Sequence, residues 1–197
     1  MIAGLVLAAG ESSRMGADKA LLTYRGRTFL EGILAILHEA AVERVAVVLG
    51  HHAEEIQRTV NLRSVQVVIN RDYRRGQTSS LQAGLQALAS PDLEAVVLCL
   101  VDHPAVPVEV VKRLLASFRQ SPAPVVIPTF QGQRGHPVLI GRALLEELLR
   151  LSPEEGANTV MQKHRGTTQF VEVEEPGILL DVDDEETYRR IEDAWEQ

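Results

Sequence analysis

The alternation of short valine- and isoleucine-rich runs with helical patterns constrains the fold of this chain more than any other feature. Continuous apolar runs of this kind are typical of strands that are buried on both faces, as in a parallel sheet. The runs are Ile2 to Ala8, Val45 to Leu49, Val65 to Ile69, Ala95 to Val101 and Val125 to Ile127. The pattern therefore predicts an α/β protein with an open, mostly parallel sheet.

Between the runs, apolar residues recur at the spacing of amphipathic helices. They fall in three groups: Phe29, Leu30, Ile33, Leu34 and Leu37; Val111, Leu114, Leu115 and Phe118; and Leu144, Leu145, Leu148 and Leu149. Crossover connections between parallel strands are right-handed almost without exception, which places helices on both faces of the sheet. Ligands of such sheets bind beyond the carboxyl ends of the strands.

The C-terminal part of the chain continues with less regular elements. We predict a strand at His136 to Ile140, a helix at Gly141 to Arg150, a short helix at Ala157 to His164, a strand at Gln169 to Val173 and a terminal helix at Glu185 to Trp195. A chain of 197 residues with 45% hydrophobic residues suits one compact domain, and no linker divides it. We therefore expect a single domain spanning residues 1–197.

Composition excludes several classes of protein. No apolar run approaches the roughly 18 residues that span a bilayer, and the N-terminus lacks the basic segment of a signal peptide. We expect a soluble, cytoplasmic protein without a membrane partner. The net charge of −7 argues against nucleic-acid binding, which requires basic surfaces. The single cysteine, Cys99, lies within an apolar run and is expected to be buried.

The loop after the first strand has the composition of a phosphate-binding loop. It contains Gly10, Ser13, Arg14, Gly16 and Lys19. Glycine lets the backbone approach a ligand, arginine can clamp phosphate oxygens, and lysine supplies a movable positive charge. Neither G-x-x-x-x-G-K-[S/T] nor G-x-G-x-x-G fits the spacing, which disfavours Walker-type ATPases and dinucleotide dehydrogenases.

A carboxylate follows the buried run at Ala95 to Val101. Asp102 should stand at the carboxyl end of a central strand and face the ligand crevice. Oxygen ligands of this kind hold Mg²⁺, which usually takes one or two carboxylates together with phosphates. The alternative is that Asp102 caps the helix expected at Val106 to Arg119.

The segment L-A-A-G-E-S-S-R-M-G-A-D-K, at Leu7 to Lys19, resembles the signature loop of the molybdenum-cofactor cytidylyltransferases and molybdopterin guanylyltransferases. The resemblance implies a Rossmann-like, three-layer αβα sandwich of the nucleotide-diphospho-sugar transferase type. It implies nucleotide contacts from Leu7, Ala8, Ala9, Gly10, Ser13, Arg14 and Lys19, with Arg14, Lys19 and Asp102 as catalytic residues. In that family an aspartate at the place of Asp102 binds the metal.

The acidic stretch that begins at Asp181 offers a second metal ligand. If Leu179 to Asp183 is extended, Asp181 and Asp183 lie on one face. The family's usual metal partner corresponds to Asp183, but Asp181 stays open as the alternative. A solvated first turn of the following helix is the structural alternative to both.

Gly76-Gln77-Thr78-Ser79-Ser80-Leu81 should open the helix that runs to Leu88. One interpretation is structural, with hydroxyls capping free helix amides. The family's G-x-x-x-S-L segment implies base contacts from Gly76, Gln77 and Ser80. Ala9 at the middle position of the loop favours CTP over GTP within the family.

Two further segments are candidates for the acceptor. His103 and Pro104 follow Asp102, where cytidylyltransferases of this kind often have glutamine in place of His103; a hydrogen bond from His103 to the loop backbone is the alternative. Gly135-His136-Pro137 matches the family's G-H-P at the start of a strand near the acceptor, and a structural role is again the alternative.

Together these segments predict a Mg²⁺-dependent nucleotidyltransferase that moves CMP from CTP to molybdopterin and releases pyrophosphate. A molybdoenzyme is the expected protein partner. The alternatives are transfer to a sugar phosphate or other phosphorylated alcohol, and a molybdenum-cofactor chaperone that binds without turnover.

Overall fold

A computed structural model of the protein describes residues 1–11 and 16–196. Within these ranges the chain forms ten strands and seven α-helices. The strands are Ile2–Ala8 (β1), Thr23–Tyr24 (β2), Arg27–Thr28 (β3), Arg44–Leu49 (β4), Gln66–Ile69 (β5), Ala95–Leu100 (β6), Val125–Phe130 (β7), Gln133–Arg134 (β8), Val138–Gly141 (β9) and Thr168–Glu172 (β10). The α-helices are Phe29–Glu39 (α1), Ala53–Thr59 (α2), Gln77–Leu88 (α3), Val108–Gln120 (α4), Arg142–Arg150 (α5), Asn158–Lys163 (α6) and Glu185–Glu196 (α7).

The central sheet has the strand order β10-β7-β9-β6-β1-β4-β5, and β8 pairs with β7 at one end. Strand β1 is parallel to both of its neighbours, β4 and β6. Strand β9 runs antiparallel to its neighbours β6 and β7. The mostly parallel sheet that the apolar runs predicted is therefore confirmed.

Successive side chains of β1 pack against helices on opposite faces of the sheet, as strand geometry requires. Val6 packs in one cluster with Leu30 of α1 and Leu114 of α4. Leu5 packs in another cluster with Leu85 of α3 and with leucines of α5. The predicted three-layer αβα sandwich is confirmed.

Helix α3 lies very close to the centre of the sheet because Gly84 has no side chain. A Cβ atom at Gly84 would overlap the Leu5 side chain and would come within 2.9 Å of Val48 Cγ2. This contact holds the N-terminus of α3 beside the carboxyl ends of β1 and β4.

The chain changes direction across the sheet at β1. It leaves β1 for β4 and then β5 on one side, and it returns with β6 on the other side. Such a switch point leaves a crevice beyond the strand ends, where open α/β sheets bind ligands. The Val101 N–H donates to the Leu7 carbonyl at 3.1 Å, so the ends of β6 and β1 are tied together at this crevice.

The element boundaries differ from expectation by one or two residues in most cases. Helix α4 begins at Val108 and not at Val106, because Pro107 takes the cap position with extended backbone. Strand β9 begins at Val138, after the cis peptide bond between His136 and Pro137.

Several short elements were not predicted, namely the β2–β3 hairpin, β8 and α2. The hairpin turns at Arg25 and Gly26, which both have positive φ, as two-residue hairpin turns require. Among the described residues, no helix is both long enough and apolar enough to cross a membrane. Cys99 is buried as expected, and burial raises its pKa to about 12.

Candidate active site

A cavity of about 500 Å³, here called the first cavity, lies beyond the carboxyl ends of β1 and β6. Ten of the residues that the sequence singled out line it: Leu7, Ala8, Ala9, Gly10, Lys19, Gly76, Gln77, Ser80, Asp102 and Asp183. Asp18, Tyr73, Leu100 and Val101 also line it, and sequence reasoning had not assigned them a role. The loop, the strand-end carboxylate and the start of α3 thus meet in one crevice. Ser13 and Arg14 lie outside the described residues, so their roles remain predictions.

Lys19 is positioned by the residue before it. The buried Asp18 side chain accepts a hydrogen bond from the Ala20 N–H at 2.9 Å and starts the short 3-10 helix Lys19–Leu21. Its other oxygen lies 3.1 Å from His52 Nδ1. Because Asp18 is held at both oxygens, the Lys19 side chain leaves the backbone in a defined direction, into the first cavity.

The Lys19 ammonium is surrounded by carboxylates. Its Nζ lies 2.5 Å from Asp183 Oδ1 and 3.4 Å from Asp102 Oδ2. Burial alone lowers the pKa of Lys19, but the hydrogen bond to Asp183 and the charges of Asp102, Asp183 and Asp181 outweigh it, so the pKa is raised. Lys19 therefore remains a cation at neutral pH.

Asp102 stands two residues beyond the end of β6, and its backbone carbonyl accepts a hydrogen bond from the Val182 N–H at 2.9 Å. It does not cap α4, because Pro107 occupies that position. Among the described residues, its Oδ1 atom is buried without a hydrogen-bond partner. A buried, unsatisfied carboxylate oxygen is costly unless a ligand satisfies it.

Asp181 lies beside Asp102 and His103, next to the first cavity. Ligand atoms of Asp102, His103 and Asp181 all lie within 4.8 Å of one another, so these residues could hold a metal ion. Burial, together with the charges of Asp102 and Asp183, raises the pKa of Asp181 to about 6. The assignment of Asp183 as the second metal ligand remains a prediction, and its carboxylate bonds Lys19 in this structure.

His103 and His136 pack against each other below Asp102. Their ring centroids are 4.7 Å apart, and together with Pro137 they line a small cavity of about 20 Å³. Burial lowers the pKa of His103, and burial with the neighbouring His103 lowers the pKa of His136 to about 4. Pro104 is buried beside them and lines none of the three cavities described here.

The start of α3 forms the wall of the first cavity that was expected to contact the base. Helix α3 begins at Gln77, directly after Gly76, whose φ of 111° favours glycine. The interpretation that hydroxyls cap the helix amides is wrong, because the cap residue is Gly76 and the Thr78 hydroxyl donates to the Glu155 carbonyl. Instead, the Ser79 hydroxyl donates to the Gly76 carbonyl at 2.8 Å, and Asn70 Nδ2 donates to the Ser80 hydroxyl at 2.9 Å.

The Ser79 and Ser80 hydroxyls do not cap the helix because they hydrogen-bond residues of the turn before it, and these bonds fix the shape of the turn. The amides of the first turn are therefore not covered by side-chain caps. A helix N-terminus in this state favours negatively charged or hydrogen-bond-accepting ligand groups.

A second cavity of about 660 Å³ adjoins the first and shares Leu7, Gln77 and Leu100 with it. Gly135 and His136 line this second cavity. A Cβ atom at Gly135 would come within 2.7 Å of Ile178 Cβ, so glycine lets the strand entry pack against that turn. The second cavity is where the structure places the predicted acceptor segment.

Two arginines at the second cavity were missed by sequence reasoning. Arg134 lies at the end of β8 and Arg165 lies after α6, and both are exposed. The Arg134 guanidinium also lies 5.0 Å from the Phe170 ring. Nothing local in the sequence marks the pair, because 31 positions separate them and only the fold brings them to one rim.

Known proteins resemble this chain in sequence and in fold. The sequence model of the family described as MobA-like NTP transferase domain matches residues 4–168. A protein named nicotine blue oxidoreductase, from Paenarthrobacter nicotinovorans, is 30% identical over 198 residues, covering 95% of each chain. Molybdenum cofactor cytidylyltransferase from Escherichia coli is 26% identical over 180 residues, covering 91% of this chain and 89% of that protein.

Among solved structures, Rv0371c from Mycobacterium tuberculosis superimposes with a TM-score of 0.86 at 30% identity, covering 96% of both chains. The same protein has been solved in complex with manganese, and that structure is 28% identical. The predicted nucleotide-diphospho-sugar transferase type of fold is confirmed by these likenesses. The chain therefore belongs to the MobA-like NTP transferase domain family and is a nucleotidyltransferase.

Proposed function

We propose that this nucleotidyltransferase moves CMP from CTP to molybdopterin in a Mg²⁺-dependent reaction that releases pyrophosphate. The observation that carries the proposal is the pair of adjoining cavities, with Lys19 and Asp102 in the first and the Gly135-His136 segment in the second. A transfer between two bound substrates needs two such spaces that meet at the reacting atoms.

The first cavity suits a nucleoside triphosphate. Backbone at Ala8 to Gly10 lines it, and the Lys19 cation stands where phosphate charge needs to be offset. Gln77 and Ser80 at the start of α3 can meet the base. Preference for CTP over GTP is supported by Ala9 and by the likeness to the Escherichia coli cytidylyltransferase.

The carboxylates of the first cavity suit a divalent cation. The unpartnered Oδ1 of Asp102 is the kind of buried oxygen that an ion satisfies, and Asp181 or Asp183 would complete the site. The manganese complex of the related Rv0371c supports a divalent metal in this family. When bound, such an ion offsets the charge of the triphosphate.

In the proposed reaction, a phosphate oxygen of the acceptor attacks the α-phosphorus of CTP. The bond from that phosphorus to the bridging oxygen breaks, and pyrophosphate leaves with the electron pair. Lys19 stabilises the leaving group by charge, and the two cavities hold donor and acceptor in line. An acceptor that is already an anion needs no strong general base, and neither His103 nor His136 has a pKa raised for that role.

The second cavity suits molybdopterin as acceptor because it combines apolar walls with cations at its rim. Leu81, Leu98 and Val138 can contact a flat ring system, and Arg134 and Arg165 can meet anionic groups. A molybdoenzyme would then be the protein that receives the product.

A pyrophosphate-release screen tests the proposal. The full chain is incubated with Mg²⁺, with CTP or GTP, and with molybdopterin or a panel of sugar phosphates. We expect rapid release of pyrophosphate only when CTP and molybdopterin are both present. Turnover with a sugar phosphate would show that the acceptor is a sugar phosphate and not molybdopterin. Tight binding of CTP without release of pyrophosphate, whatever the acceptor, would indicate a chaperone.

The likeness to nicotine blue oxidoreductase supports a second candidate, a redox activity on the same fold. The loop at Gly10 to Gly16 lacks the G-x-G-x-x-G pattern of dinucleotide dehydrogenases, which weighs against it. Oxidation of NADH or NADPH in the presence of quinone-like dyes tests this candidate, and we expect none above background.

A further inference from the structure

We propose that His103 supplies a nitrogen ligand to the metal site, so that this site binds a first-row transition ion, with Mn²⁺ as the probe, more tightly than Mg²⁺. The inference deepens the proposed function, because it concerns the ion of the same site. It rests on the arrangement of Asp102, His103 and Asp181.

The two carboxylates and the imidazole are held together by the backbone. Asp102 and His103 follow β6, and Asp181 is tied to them because the next residue, Val182, donates its N–H to the Asp102 carbonyl at 2.9 Å. Ligand atoms of the three residues lie within 4.8 Å of one another. Three donors that are each about 2.1 Å from one ion lie roughly 3–4 Å apart, so side-chain adjustments of up to about 1 Å would bring all three into range.

The imidazole of His103 is largely enclosed by protein. Its side chain is only 9% exposed, and its Nδ1 atom has no hydrogen-bond partner among the residues that the structure describes. Its Nε2 atom lies 3.9 Å from Asp102 Oδ1, the other buried atom of this group without a partner. That separation is too long for a hydrogen bond but falls within the range of two ligands on one ion.

The surroundings decide which carboxylate belongs to this site. Asp183 bonds Lys19 at 2.5 Å, whereas Asp181 stands beside Asp102 and His103. The His136 ring packs against the His103 ring, with 4.7 Å between their centroids. His136 is therefore a positioning residue that keeps the His103 imidazole directed towards the carboxylates.

The donor set has a chemical consequence. Mg²⁺ prefers an all-oxygen environment, whereas imidazole nitrogen favours transition ions. A site of two carboxylates and one imidazole should therefore discriminate against Mg²⁺. Replacing the imidazole by an amide oxygen should reduce the discrimination.

Pulsed electron paramagnetic resonance of the full chain loaded with Mn²⁺ tests the assignment directly. We expect hyperfine coupling from a directly bound nitrogen in the wild-type protein. His103→Gln should lose that coupling and weaken Mn²⁺ binding by about tenfold or more, with a much smaller change for Mg²⁺. His38→Gln, which alters an exposed histidine of α1, is the matched control and should keep both properties.

Bound Mn²⁺ without nitrogen coupling in the wild-type protein would overturn the inference, as would coupling that persists in His103→Gln. Asp181→Asn provides a second variant that keeps the imidazole, and it should weaken Mn²⁺ binding while the nitrogen coupling of the remaining bound ion stays. Pyrophosphate release is measured on the same samples. Release without nitrogen coupling contradicts this inference alone, whereas nitrogen coupling without release under any substrate contradicts the proposed function alone.

Discussion

The two cavities share a wall, yet different kinds of residue line them. The first cavity is formed by the ends of parallel strands and by charged groups, with Lys19 among three aspartates. The second cavity borders the reversed strand β9, and its lining combines apolar side chains with uncharged polar ones and with two exposed arginines, Arg134 and Arg165. We infer from this difference that the first cavity stabilises the charge of the phosphates, whereas the second cavity recognises the shape of the acceptor.

The strongest test of this division removes the charges of the first cavity. We expect Lys19→Ala to lower turnover by about 100-fold or more, because one preorganised charge on a transferring phosphoryl group contributes that much. Asp102→Asn should have an effect of similar size. Initial rates of pyrophosphate release measure the loss, and Lys112→Ala, which alters an exposed lysine, serves as the control. Full activity in Lys19→Ala would contradict the role of the first cavity in stabilising phosphate charge.

The shared wall depends on the close packing of α3. Gly84→Val should destabilise the protein by about 2 kcal/mol, because the added side chain overlaps Leu5 and Val48 in a packed core. Urea unfolding monitored by circular dichroism measures the change. Gly32→Ala in α1, where a Cβ meets nothing within 4 Å, should leave stability unchanged or slightly higher. Equal stability of the two variants would show that α3 is not held as closely as described.

The second cavity should affect the acceptor and not the nucleotide. We expect Arg165→Ala to raise the KM for the acceptor by about tenfold and to leave the KM for CTP unchanged, because a single charged hydrogen bond contributes about 1.5 kcal/mol. Steady-state kinetics with each substrate varied in turn measures both constants. Arg150→Ala on α5 is the control. A rise in the KM for CTP would contradict the separation of the two cavities.

The smallest expected effect concerns the excess of negative charge in the first cavity. The pKa of Asp181 is raised to about 6, so the folded protein holds that proton more tightly than the unfolded chain does. The stability that this proton contributes is present below pH 4 and is lost as the pH rises through about 6. Asp181 is exposed, and the effect should therefore be less than about 1 kcal/mol.

Asp181→Asn removes this dependence. In a metal-free buffer we expect the variant to be slightly more stable than the wild type at pH 7.5 and equally stable at pH 4. Thermal unfolding at the two pH values provides the comparison. A variant that is less stable at pH 7.5 would show that the ionised Asp181 carboxylate stabilises the fold.

Sequence reasoning located the first cavity better than the second, and the reason is physical. The loop after β1, Asp102 and the start of α3 each follow a strong local signal, and a parallel sheet brings strand ends to one edge. Arg134 and Arg165 line the same cavity although 31 positions separate them, and no local sequence pattern predicts that proximity. The choice between Asp181 and Asp183 depends on which carboxylate Lys19 engages, a contact between residues more than 160 positions apart.

Some expectations stay predictions. These are the roles of Ser13 and Arg14, which lie outside the described residues, and the single domain over residues 1–197. The capping role expected for the hydroxyls after Gly76 was wrong, because composition alone does not tell whether a hydroxyl accepts from an amide or donates to a carbonyl.

The central claim is that the two cavities hold a nucleotide and its acceptor for direct transfer. A single-turnover experiment with CTP labelled at its α-phosphorus, molybdopterin and an excess of the 197-residue chain tests it most directly. We predict that the label moves to the acceptor in step with pyrophosphate release, and that Asp102→Asn prevents both. Label recovered as free CMP, or release of inorganic phosphate in place of pyrophosphate, would contradict the account.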